Sequence, residues 1–206
     1  MPAEAALSGT REIEASEEKR ALRAALVAAR RALPAAERLE KSRAIAARLD
    51  EVPAFRSART LAVYSALGAE VDTAVIAARA LARGALLVFP RVVAGDRRLA
   101  FGRCAPDALA CGPLGALEPP ADAPEVPRDA VDAVLLPGVA FSADGHRLGR
   151  GGGYYDATLE AMPRAARIGL GFELQVVPAL PFEAHDARLD ALVTEARTLL
   201  FRRESR

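Results

Sequence analysis

Residues 131–159 read VDAVLLPGVAFSADGHRLGRGGGYYDATL: a buried strand, a polar loop with two arginines and a glycine run, then the start of a helix. Val131, Val134, Leu135 and Leu136 form an apolar run too short for a helix, closed by Pro137-Gly138. Tyr155, Leu159 and Met162 share one helical face before Pro163 ends the segment. Between them Gly149, Gly151, Gly152 and Gly153 lack Cβ atoms, so backbone N–H groups can approach an anion closely. Arg147 and Arg150 add full positive charges, and a helix start just downstream adds a partial one. The combination suits a polyphosphate. A P-loop needs Gly-Lys-Ser/Thr, which occurs nowhere in the chain, and a dinucleotide fingerprint needs glycine where Tyr154 stands. The other reading of the run is a flexible turn, and the density of arginine, tyrosine and aspartate around it favours a site.

Working outward, strands and helices alternate. Leu22, Leu26, Ala29 and Leu33 make one stripe of a helix over 17–33, with Lys19, Arg20, Arg23, Arg30 and Arg31 on its other, solvated faces. Truncating Arg30 is therefore expected to matter little. A second helix carries Leu39, Ile45 and Leu49, and Leu61–Tyr64 is a strand. Asp72 suits the N-cap of a helix that runs through Arg83 and ends at Gly84. Leu86–Phe89 is a strand, and Arg91–Val93 and Leu99–Arg103 flank a Gly95-Asp96 turn. Residues 105–130 are proline-rich and read as a surface connection, followed by strands at Ile168–Phe172, Ala191–Thr194 and Thr198–Phe201. This pattern predicts a single three-layer α/β domain over 17–206, its mainly parallel sheet covered by helices, with residues 1–16 as a disordered or frayed extension. Ligands in such sheets gather at the carboxyl ends of strands, where the glycine run falls.

With 28 basic and 27 acidic residues, nothing points to a general nucleic-acid or membrane-surface binder. No apolar run is long enough for a membrane span, and a cytoplasmic location is the default. Cys104 and Cys111 match no zinc spacing and read as reduced thiols. Lys19 and Arg23 lie one turn apart, so an anion could bridge them, although a solvated basic face reads the same way. Glu70 has no evident capping role, and its carboxylate could accept two parallel hydrogen bonds from an amino-amide edge. Asp156 and Asp190 are hard oxygen donors of the kind Mg²⁺ prefers.

The segment LLPGVAFSADGHRLGRGGGYYD resembles the signature of the 5-formyltetrahydrofolate cyclo-ligase family. KRALRAALVAARRAL, YSALGAEVDT, VFPRV, GALEP and HDARLDALVTE resemble further parts of it in order, over residues 17–200. The resemblance implies a fold akin to sugar-phosphate isomerases and CoA transferases. It implies ATP-dependent conversion of 5-formyltetrahydrofolate to 5,10-methenyltetrahydrofolate, with Mg²⁺ required and ADP and phosphate released. By position, Lys19, Arg20 and Arg23 would touch ATP, and Arg147, Leu148, Gly149, Arg150, Gly151, Gly152, Gly153, Tyr154 and Tyr155 would wrap its phosphates. Arg23, Ser65, Glu70 and the 150–154 portion would face folate, with Glu70 on the pterin. Arg147, Arg150 and Tyr154 would be catalytic, and Asp156 and Asp190 would serve Mg²⁺. Gly152 stands where some relatives carry lysine, which puts more weight on the remaining cations. The rivals are a non-catalytic nucleotide- or folate-binding regulator, another enzyme on the same fold, and a plain interaction domain. A monomer without nucleic-acid or membrane partners is expected, and His185 is a candidate proton relay.

Overall fold

Strands buried on both faces read as unbroken apolar runs, and the sheet is built from such runs. The computed structural model describes residues 2–182 and 186–202. Its main sheet has seven strands. Five are parallel: β1 (Thr60–Ala62), β2 (Leu86–Arg91), β6 (Ala133–Pro137), β9 (Ala166–Leu170) and β11 (Ala191–Val193). Antiparallel strands β3 (Ala100–Gly102) and β12 (Thr198–Leu200) close the two edges, giving the order β12-β11-β9-β6-β1-β2-β3. A hairpin of β4 (Ala110–Cys111) and β5 (Leu117–Glu118) stands apart, as does a small sheet of β7 (Ala140–Ser142), β8 (Arg147–Leu148) and β10 (Val176–Val177). The helices are α1 (Pro2–Ala32), α2 (Ala35–Arg48), α3 (Pro53–Ser57), α4 (Ala74–Ala82) and α5 (Tyr154–Glu160). None is long and apolar enough to cross a membrane, among the described residues.

Alternate side chains of each strand enter different cores. Leu61, Ala133, Leu135, Ile168, Ala191 and Val193 join Ile45, Leu49, Phe55 and Ile76 from α2, the turn after it, α3 and α4. Ala62, Val134, Leu136 and Leu192 join Phe101, Phe141, Leu159 and Met162 on the opposite face. Helices on both faces make the three layers that the alternation of elements predicts. The Leu22–Leu26 stripe of α1 covers neither face of the main sheet; it packs on the small sheet and Leu180.

Three local expectations are modified. The α1 backbone is helical from Pro2, ahead of Glu17 where the periodic pattern begins. Asp72 caps α4 from one residue further out: Thr73 holds the N-cap position, while Asp72 Oδ1 accepts the Ala74 N–H at 2.9 Å. The stretch 139–148 is a β7–β8 hairpin, which folds the glycine run back over the sheet. This fold-back rests on the Phe141 ring, which lies against bare backbone: a Cβ at Gly138 or Gly171 would stand 2.4 Å from its atoms. Backbone and a fully buried ring cannot both yield, so Gly171→Ala is expected to lower stability by about 1–3 kcal/mol. A denaturation midpoint equal to that of the parent chain would overturn this.

The order of the parallel strands sets the location of a site. β1 connects onward to β2 on one side, whereas β6 connects to β9 on the other, so chain connections diverge between β1 and β6. That divergence opens a crevice at the carboxyl ends of these neighbours.

Candidate active site

A cavity of about 1440 Å³ occupies this crevice. Drug-sized ligands fill pockets of roughly 300–1,000 Å³, so there is room for two reactants side by side. Ser65 follows β1, Pro137 ends β6 with Gly138 just after it, and all three border the cavity. The loop 147–153 and the first residues of α5 form one wall, and Lys19 and Arg23 of α1 form another. An apolar wall of Pro90, Val92, Leu99, Leu114 and Leu117 comes from β2, the turn after it and the β4–β5 hairpin.

The glycine loop needs its glycines. Gly151 and Gly153 have φ of 100° and 70°, a region that a side chain disfavours. At Gly149 a Cβ would lie 2.9 Å from Arg147 Nη1, so glycine there lets the guanidinium fold beneath the loop. Arg23 Nε donates to the Gly149 carbonyl at 2.9 Å and ties α1 to the loop.

Each arginine of the loop has a carboxylate partner. Arg147 is buried, donating to the Pro137 carbonyl at 3.2 Å and to Asp156 Oδ1 at 2.9 Å, with its guanidinium carbon 5.6 Å from the Tyr155 ring centre. Arg150 is half-exposed and reaches Glu70 Oε1 with Nη2 at 3.1 Å and Nε at 3.2 Å. Glu70 also accepts the Leu67 N–H at 2.9 Å and lies 4.0 Å from Arg30 Nη2. Burial, reinforced by the Glu70 carboxylate, pushes the Tyr64 and Tyr155 hydroxyls well above the ordinary phenol range, although Arg30 and Arg147 pull the other way. Both tyrosines therefore stay neutral at working pH, able to donate a hydrogen bond.

Of the residues singled out in the sequence, Lys19, Arg23, Ser65, Glu70, Arg147, Leu148, Gly149, Arg150, Gly151, Gly152, Gly153, Tyr154, Tyr155 and Asp156 all border this one cavity. Two do not join them. Arg20 is 80 % exposed, 4.0 Å from Glu17 on the outer face of α1, because it lies on a different side of the helix from Lys19 and Arg23. Asp190 precedes β11, and its Oδ2 accepts the Arg167 N–H at 2.7 Å at the amino ends of the strands. Asp156 borders the cavity at the other end of the sheet, so the two carboxylates do not form a metal pair. His185 lies outside the described residues.

The model of the 5-formyltetrahydrofolate cyclo-ligase family matches residues 15–195. The chain belongs to this family. The cyclo-ligase of Escherichia coli strain K12 is 32 % identical over 175 residues, covering 82 % of this chain and 95 % of that protein. The mouse cyclo-ligase is 28 % identical over 190 residues, covering 86 % and 93 %. The structure of Aquifex aeolicus 5,10-methenyltetrahydrofolate synthetase is similar with a TM-score of 0.79 and 31 % identity, covering 91 % of this chain and 95 % of that one. Membership makes the chain an enzyme of the ligase class; the reading as a non-catalytic regulator is set aside.

Two buried charged residues to which the sequence assigned no role stand at this cyclo-ligase site, Glu118 in the cavity wall and Arg30 behind it, bonded to the cavity-lining Gly138. Glu118 of β5 is 7 % exposed, and its Oε2 accepts the Val92 N–H at 3.0 Å. Burial pushes its carboxyl up, against the opposing pull of that hydrogen bond and Arg91. Gly112 makes room for it, since a Cβ there would stand 2.3 Å from Glu118 Cδ. The signal for this hairpin was the pair Gly112 and Gly115, the latter at φ 80°, inside a stretch read as an irregular connection. Arg30, expected in solvent, is 3 % exposed and donates to the Gly138 carbonyl at 3.0 Å.

Proposed function

We propose that this cavity binds MgATP and 5-formyltetrahydrofolate together and closes the ring to 5,10-methenyltetrahydrofolate, releasing ADP and phosphate. The observation that carries this is the meeting, in one cavity, of an apolar wall and a cation-rich glycine loop across the buried Glu70. A flat pterin suits the apolar wall, with its amino-amide edge on Glu70 near Ser65. The polyphosphate suits the loop N–H groups with Lys19, Arg23 and Arg150. Arg147, already joined to Asp156, holds the floor of the loop in shape.

A formamide oxygen leaves poorly. Its attack on the γ-phosphorus breaks the bond to the ADP oxygen and makes it part of a phosphate leaving group. The N10 lone pair then attacks the activated carbon, phosphate departs with the C–O bond electrons, and N10 loses its proton. Phosphoryl transfer depends on alignment and charge neutralisation rather than on a covalent nucleophile, and the loop supplies both. No group of three or more His, Cys, Asp or Glu that could hold a metal exists among the described residues. The donor set therefore fits Mg²⁺ carried by the polyphosphate, with Asp156, just past the loop on the cavity wall, as the protein carboxylate that would hold it. When bound, Mg²⁺ would neutralise phosphate charge. The two free cysteines suit a reducing cytoplasm.

Purified protein, MgATP and 5-formyltetrahydrofolate are expected to yield methenyl absorbance and ADP in equal amounts. ADP without the methenyl product would reveal another phosphoryl acceptor, and neither product would overturn the proposal.

A further inference from the structure

The cavity holds a cation that belongs to none of the ion pairs above. Arg97 lies on the turn between β2 and β3 and borders the cavity. A Cβ at Gly153 would stand 3.3 Å from Arg97 Nη2, so the guanidinium rests directly against the glycine loop. Its neighbour Asp96 is occupied by Arg98, accepting its N–H at 2.9 Å and its Nε at 3.4 Å. Arg23, Arg147 and Arg150 are committed to Gly149, Asp156 and Glu70. Among the described cavity residues, Arg97 is the cation without a hydrogen-bond or ion-pair partner.

Its placement is built into the fold. Two residues on, the Leu99 N–H donates to Thr158 Oγ1 at 2.8 Å, and that hydroxyl donates to the Tyr154 carbonyl at 2.6 Å. These bonds pin the β2–β3 turn to α5 and hold the base of the Arg97 side chain over the loop that leads into that helix. Leu99 is itself buried on the apolar wall, so Arg97 marks the line where this wall meets the loop.

We propose that Arg97 is a catalytic residue, contacting the γ-phosphoryl group of ATP as it passes to the formyl oxygen. This rests on the function proposed above. An uncommitted guanidinium can turn to the equatorial phosphoryl oxygens without breaking an existing ion pair, and its planar fork matches them. Charge on those oxygens must be neutralised during transfer, and a positioned arginine does this within the same chain. The shared chemistry, an oxyanion, also occurs in the glutamate tail of the folate, and the experiment separates the two.

Arg97→Met and Arg97→Lys are measured beside the parent chain. Arg97→Met is expected to lower kcat by about a hundredfold or more, with KM for 5-formyltetrahydrofolate unchanged. By calorimetry its affinity for a non-hydrolysable ATP analogue should fall roughly tenfold, while that for ADP should not change. Arg97→Lys should recover part of kcat, and both variants should melt with the parent because the side chain is exposed. Unchanged kcat and analogue affinity would overturn the proposal. So would an intact kcat with a raised KM confined to polyglutamylated substrate, which would make Arg97 a tail-binding cation. A parent chain that forms no methenyl product would instead be a failure of the proposed function, visible without any variant.

Discussion

Arg150→Ala is expected to lower kcat/KM for the cyclisation by roughly a hundred- to a thousandfold, the usual consequence of removing one preorganised donor from developing charge. Arg150 is the loop arginine best able to move. Its side chain is 53 % exposed and bound to Glu70 at 3.1 Å, whereas Arg147 is buried between Pro137 and Asp156. Transfer of Arg150 to a phosphate would free a carboxylate oxygen of Glu70 for the pterin, so one residue serves both reactants. Truncation should cost only about 1 kcal/mol, because Arg150 itself is half-exposed and the buried Glu70 carboxylate keeps the Leu67 N–H and Arg30. Steady-state rates by methenyl absorbance, with thermal melts alongside, test both halves. Arg20→Ala is the control, since that side chain points away from the cavity. Rates within threefold of each other for the two variants would remove Arg150 from the machinery.

The second large effect falls on folding. Arg30→Met is expected to reduce the free energy of unfolding by about 3 kcal/mol, the low end of the cost of breaking a buried pair. The low end applies for two reasons. The contact with Glu70 is loose at 4.0 Å, and the buried Nε has no partner, so Arg30 already bears some uncompensated desolvation. Burial accordingly lowers its pKa, against the raising effect of Glu70. What the arginine contributes is the link from α1 to the carboxyl end of β6, through the Gly138 carbonyl that Gln175 also satisfies at 2.9 Å. Adding Glu70→Gln should restore part of the loss, because the remaining partner would no longer be charged. Urea titrations of the two single variants and the double variant measure this. A single-variant loss below about 0.5 kcal/mol, typical of surface sites, would mean that Arg30 is solvated after all.

Local periodicity made much of the architecture readable. Runs such as Val134–Leu136 and Ala191–Val193 showed strands covered on both faces, and the stripe of Leu22 and Leu26 showed a helix with one apolar side. These signals are legible because burial repeats with the geometry of the element itself. The short strands of the β4–β5 hairpin and the small sheet escaped, each having too few residues to establish a period.

By itself, then, the sequence determined the α/β class, the glycine loop with its arginines, and the family likeness that the family model bears out. Tertiary structure decided which charged groups meet. Arg30 and Arg20 lie on the same helix, yet one is buried against Gly138 and the other faces solvent. Asp156 and Asp190 are equivalent as letters, but strand direction sends them to opposite ends of the sheet. Arg97 and Glu118 reach the cavity only because β2 lies beside β1 and the connection beyond β3 folds back over its end. A polar side chain's partner depends on which strands are neighbours across many residues of chain, and no local repeat encodes that.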